Sequence, residues 1–187
     1  QEEETPGVLY TDLLAQVHVK FSKKLELQST DQLDADFGRS IAHWPAFPDT
    51  ADALRYLKTR YKLVILSNVS REGFAASNRK LGVEFDAIYT AEDIGSHKPS
   101  SANFEYMFEH LENDLGLAKS DILHTAQSLF HDHVPAKRFG LANAWIDRQH
   151  LSESGKWGAT AKVNEQPDVD FLFFTMGEMA DAVRALE

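Results

Sequence analysis

A chain of 187 residues, 43% hydrophobic and 26% charged, has the content for one domain with a large core and room for a small subdomain. Its net charge of −10 argues against nucleic acid or an anionic membrane held by bulk electrostatics. The absence of cysteine excludes disulfides, thiolate metal sites and a cysteine nucleophile, and no apolar run approaches the ~20 residues that span a bilayer. That composition fits a reducing compartment, and QEEETPG has neither the basic start nor the apolar run of a secretory signal, so the expected location is the cytoplasm.

The opening QEEE reads as a solvated approach to a helix. Tyr10, Leu13, Leu14, Val17 and Phe21 then recur at helical spacing, and Leu33, Phe37 and Ile41 mark one side of a second, shorter helix. Two prolines in HWPAFP, residues 43–48, exclude a continuous helix there. The expected division is a small helical cap subdomain over residues 1–45 and an α/β core over residues 46–187.

From Asp49 onward helix and strand alternate. Asp49 is expected to cap a helix carrying Leu54 and Leu57, and Leu63–Leu66 is an aliphatic strand expected to be buried on both faces, closed by Ser67 and Asn68. Ser70 caps a helix marked by Phe74, Asn78 and Leu81 and ended by Gly82, and Ala87–Thr90 is a second strand. Pro99 is expected to begin a helix with Phe104, Met107, Phe108, Leu111 and Leu115 as its apolar stripe, closed by Gly116. A third strand over Asp121–Ala126 precedes a short helix over Val134–Phe139, and a fourth over Ala142–Ile146 leads to Asp147 and Arg148. The polar stretch 149–167 reads as a loop, mobile at its Ser-Glu-Ser-Gly tip, before a last strand over Val169–Phe174 and a helix with a Thr175/Glu178 capping box. Such alternation predicts an α/β fold with a Rossmann-like parallel sheet covered by helices on both faces.

Polar groups collect at the strand ends: Ser67 and Asn68, Lys98, and Gln127 and Ser128 with Asp132. In open parallel sheets the carboxyl ends of the strands share one rim, so these residues are expected together there. Hydroxyl and amide donors, a cation and a carboxylate are what hydrolysis through an anionic intermediate requires. Each piece also has a plain reading: Lys98 as a surface lysine, Asp132 as a helix cap, Phe104 and Phe108 as helix core. His124, His131 and His133 without a further ligand set are a weak zinc signal.

Taken together, ILSNVS, AEDIGSHKP, ILHTAQSLFHDHVPAKRFGL and ANAWIDR resemble the haloacid dehalogenase superfamily, most closely its 2-haloacid dehalogenase-like branch, over nearly the whole chain. The resemblance implies a hydrolase that works through a covalent aspartyl-enzyme on a small anionic substrate. Ser67, with Asn68 beside it, would hydrogen-bond substrate oxygens, Lys98 would neutralise the nucleophilic aspartate, and Asp132 would be the acid of the fourth motif. His43 and Trp44 would lie near the substrate at the junction of cap and core, with Gln127 and Ser128 also on the substrate side. No cofactor is expected in that branch. A magnesium-dependent phosphatase of the same superfamily is the alternative, with Mg²⁺ on Asp132. A small anion is the expected partner, without nucleic acid or membrane, and a homodimer is the candidate assembly.

The chain departs from the pattern at three positions: Phe104 where dehalogenases carry tyrosine, Leu129 where they carry asparagine, and Gln127 where magnesium phosphatases carry an acid. The family's nucleophile is an aspartate on a first strand ahead of the cap. Asp12, Asp31, Asp34 and Asp36 instead lie in polar helical segments, so the core is expected to lack that strand and its aspartate, leaving a gap between the strands ending at Ser67 and Ala126. A non-catalytic anion-binding protein is therefore a further reading.

Overall fold

The computed structural model describes residues 7–154, 161, 163 and 167–186. In chain order its main elements are α1 (Tyr10–Lys24), α2 (Asp31–Arg39), α3 (Thr50–Lys58), β1 (Val64–Ser67), α4 (Arg71–Leu81), β2 (Ala87–Thr90), α5 (Ala91–Ile94) and α6 (Ser101–Leu115). These are followed by β3 (Leu123–Ala126), a π-helical turn (Leu129–His133), α7 (Val134–Arg138), β4 (Ala142–Ile146), α8 (Leu151–Ser154), β5 (Phe171–Phe173) and α9 (Met176–Arg184). The architecture is α/β with parallel pairing throughout, in two ladders: β1 with β2, and β3-β4-β5. The chain divides into two compact units, one of Gln1–Phe47 with Val64–His97, the other of Pro48–Leu63 with Lys98–Glu187.

In the first unit α1 and α2 meet along a seam set by Gly38. A Cβ at that position would stand 2.4 Å from the Thr11 carbonyl oxygen, so only glycine admits this approach of the two backbones. His18 bridges the seam through Nδ1 to Asp34 Oδ1 at 2.6 Å, its ring stacked on Phe37. Leu13, Leu14 and Ile41 are buried, whereas Val17, Phe21, Leu33 and Phe37, read from periodicity as the same apolar faces, are exposed. The seam runs through small and polar residues, and that turns those four side chains outward.

Strand β1 pairs with β2 from Val64↔Ala87 to Ser67↔Thr90. All four of its residues are only half-buried, which corrects the expectation of a strand buried on both faces: among the described residues β2 is its one ladder partner. Ser70 caps α4 by accepting from the Gly73 N–H at 3.2 Å, and Thr90 and Asp93 close a reciprocal capping box on α5.

The second unit is built on β4, central between β3 and β5, with Ala144, Trp145 and Ile146 buried. The Trp145 indole donates to the Gln127 carbonyl at 3.0 Å and fastens the end of β3 to β4. The α6 stripe is Phe104, Met107, Phe108 and Leu111, all buried, and a smaller cluster joins Ala53 and Leu57 of α3 to Ala180 of α9.

Several local expectations change. Helix α6 starts at Ser101 under a Ser100 cap, after Pro99 rather than at it. A 3₁₀ turn at Lys119–Asp121 takes the opening residue of the predicted third strand, and β5 is shorter than the apolar run around it. Asp49 does not cap α3. Its carboxylate receives both Arg148 guanidinium nitrogens and caps α9 instead, accepting from the Met176 and Gly177 N–H groups. Residues 151–154, expected in a mobile loop, form a turn of helix whose first N–H groups, from Leu151 and Ser152, are held by the buried Asp147 carboxylate. The QEEE opening and Gly155 of the loop tip lie outside the described residues.

Candidate active site

Strand β3 ends at Ala126, and the chain beyond it must turn before α7. Ser128 organises that turn: its hydroxyl accepts from the His131 N–H at 3.2 Å, while its carbonyl receives the N–H groups of Asp132 and His133. The resulting π-helical turn is pinned inward by Leu129, which is 1% exposed. Turns of this kind are rare and are frequently found at functional sites. This one directs Asp132 into the interior. The structure therefore corrects the reading of Asp132 as a helix cap: Ser128 caps the turn, and no side chain caps α7.

Asp132 meets Lys98 there. Lys98 Nζ donates to Asp132 Oδ1 at 2.5 Å, and both side chains are buried. His124 Nε2 reaches the same oxygen at 3.1 Å. Burial on its own would raise the Asp132 pKa, but the charge of Lys98 and the hydrogen bonds from His124 and Lys98 outweigh it and hold the carboxyl well below the usual range. The aspartate is thus ionised and accepts only. Such a buried pair is stable because each charge compensates the other, and removing one partner leaves an uncompensated charge.

The remaining predicted residues occupy different surroundings. Gln127 and Ser128 lie in the turn itself, Gln127 giving its carbonyl to Trp145 and Ser128 its hydroxyl to the His131 ring at 2.9 Å. Ser67 and Asn68 belong to the other unit. The Ser67 hydroxyl accepts weakly from the Val69 N–H at 3.4 Å, and Asn68 lines a cavity of about 70 Å³ with Ser70, Glu92 and His97. His43 and Trp44 are exposed on the same unit, and the Trp44 indole donates to Ser40 at 3.2 Å. The Ala42 and Trp44 carbonyls are tied down by Lys80 Nζ.

His124 is the member that sequence reasoning passed over. Its place in a strand, alternating with core positions, reads as packing, and only the side of β3 on which the next turn delivers Asp132 gives it a polar partner. The three histidines of this region do separate things: His124 holds Asp132, His131 meets Ser128, and His133 donates Nε2–H to the Ala126 carbonyl at 2.9 Å. Burial lowers the His133 pKa more than the carbonyl raises it, so that ring is neutral. Among the described residues no group of three histidine or carboxylate side chains converges as a metal site. Both donors to Asp132, the Lys98 ammonium and His124 Nε2, sit on the one oxygen Oδ1.

With this geometry in hand, a model of haloacid dehalogenase-like hydrolases matches residues 7–125. The (S)-2-haloacid dehalogenase of Pseudomonas putida is 30% identical over 129 residues, which is 67% of this chain and 55% of that enzyme. The chain thus spans little more than half the length of that relative. The L-2-haloacid dehalogenase from Xanthobacter autotrophicus superposes with a TM-score of 0.77 at 20% identity, over 96% of this chain and 78% of that one, and a structure of it with chloropropionic acid covalently bound matches equally. A phosphatase of the same superfamily from Thermococcus onnurineus superposes with a TM-score of 0.59 at 23% identity, over 88% of this chain and 69% of that one. At these identities the solved structures establish the fold alone.

Proposed function

The chain belongs to the haloacid dehalogenase-like hydrolases, in their 2-haloacid dehalogenase-like branch, and from that premise we propose that the full-length protein releases halide from a small 2-haloacid by covalent catalysis. A carboxylate oxygen attacks the carbon bearing the halogen, the carbon–halogen bond breaks, and halide leaves with the bonding pair. Water then hydrolyses the ester, releasing the 2-hydroxy acid and restoring the carboxylate. In this family the attacking carboxylate is an aspartate on the first strand of the core. Lys98 neutralises that carboxylate and the substrate's negative charge, and Asp132 fixes Lys98. The family resemblance assigns Ser67 and Asn68 to the substrate's oxygens, and Gln127 and Ser128 stand beside the Asp132 turn.

The observation that carries this reading is the buried Lys98–Asp132 pair, with a 2.5 Å contact and a histidine on the same oxygen. A carboxylate committed to two donors supports a metal-free site over a magnesium phosphatase. Assaying halide release from 2-chloropropionate and phosphate release from p-nitrophenyl phosphate in parallel, with and without Mg²⁺, tests it. Halide release indifferent to Mg²⁺ is expected. Mg²⁺-dependent phosphate release would replace the reading with the phosphatase, and binding without turnover of either would make the protein an anion-binding one.

A further inference from the structure

His124 stands on β3 two residues before its end, 8% exposed, with its ring between Phe104 (centroids 5.3 Å apart) and His133 (6.2 Å). Phe104 is wholly buried and brings no polar atom to this cluster, and among the described residues the ring's polar contact is Nε2, 3.1 Å from Asp132 Oδ1. An ionised carboxylate accepts and cannot donate, so the proton in this contact sits on the histidine, which fixes Nε2–H as the bonded form.

The elements that carry the three side chains differ in rigidity. Lys98 precedes α6 on a non-helical segment and Asp132 rides on a π-helical turn, whereas His124 sits within a strand paired residue for residue with β4, opposite Asn143. An ammonium on a four-carbon stem is a point charge with little directional preference, so it follows the carboxylate wherever that settles. The fixed member is the imidazole.

We propose that His124 is a positioning residue: by donating Nε2–H to Asp132 Oδ1 it ties the turn to the strand, sets the carboxylate, and through the carboxylate sets where the Lys98 ammonium stands for the reacting anion. This rests on the hydrolase reading above and extends it to a residue outside the predicted set. A misplacement of about 1 Å in a group that acts on the reacting atoms can cost up to about 10²-fold. A loss of that size is expected here in kcat, with KM little changed, because the misplacement is felt most as charge moves in the transition state.

The test compares His124→Phe, which keeps a flat ring and removes the donor, with His124→Gln, which keeps an N–H donor at the end of a side chain of similar reach. Thermal unfolding by circular dichroism is followed for both. Halide release from 2-chloropropionate should fall about 10–100-fold in kcat for the Phe variant and recover to within a few-fold for Gln, at comparable folded fractions. Nitrogen-15 NMR of the wild-type imidazole should show Nε2 carrying a proton. Equal kcat in the two variants, or an Nε2 without a proton, would overturn the proposal. Absence of halide release from the wild-type protein would sink the hydrolase reading separately, and the Nε2 proton would then decide the His124 contact by itself.

Discussion

Asp132 couples the site to the stability of its unit. Burial opposes its ionisation, yet Lys98 and His124 depress its folded pKa below the ~3.9 of an unfolded aspartate. The sign follows from linkage. The stabilisation is fully present above about pH 4 and is lost as pH falls through the depressed folded value. Denaturant midpoints measured against pH should therefore drop steeply in acid for the wild-type protein and more gently for Asp132→Asn, which cannot ionise. That variant should also lose roughly 3–5 kcal/mol at neutral pH, because it strands the Lys98 charge. An unchanged acid slope would mean that the pair does not govern acid unfolding. His133 acts in the same sense at higher pH, since a ring kept neutral by burial disfavours the fold once pH drops below about 6.5. Lys98 and Asp132 were each legible as strand-end groups, because strand ends in chain order carry chemistry in this kind of sheet, but not their contact with each other. His124 was not, because one-letter alternation does not say which face of a strand a later turn will approach.

Helix caps show where local sequence misleads. Asp49 stands one residue before α3 and aspartate favours that place, yet its carboxylate goes to Arg148 and to the first N–H groups of α9, 127 and 128 residues away. A partner so distant in sequence wins because it brings a guanidinium as well as the orphan donors of a helix start. Asp49→Ala should cost about 1–2 kcal/mol in urea unfolding, the scale of a lost cap. Substituting Asp36, whose exposed pair with Arg39 spans one turn of the same helix, should leave the midpoint unchanged. Equal effects would show that the long-range cap has no special weight. Ser70 follows the other course: its cap is local and is read directly, whereas the Thr90 cap on α5 is seen only in the structure.

At the scale of the molecule, the alternation of short aliphatic runs with amphipathic stretches was enough for parallel α/β pairing, since period and length separate the two kinds of segment. It was not enough for burial. Val17, Phe21, Leu33 and Phe37 satisfy helical periodicity and still face outward, because the helix seam depends on Gly38 and a polar His18–Asp34 contact that no apolar pattern encodes. The functional reading rests on one charged element, the Lys98 ammonium, the one lysine buried among the described residues of a protein of net charge −10, and that local cation is what draws a small anion in. The most direct measurement is halide release from 2-chloropropionate by the full-length protein beside its Lys98→Met variant, with folded fraction monitored by circular dichroism. Loss of about 10²–10³-fold in kcat by the folded variant is the predicted result. A folded Lys98→Met protein that releases halide at the wild-type rate would contradict the account.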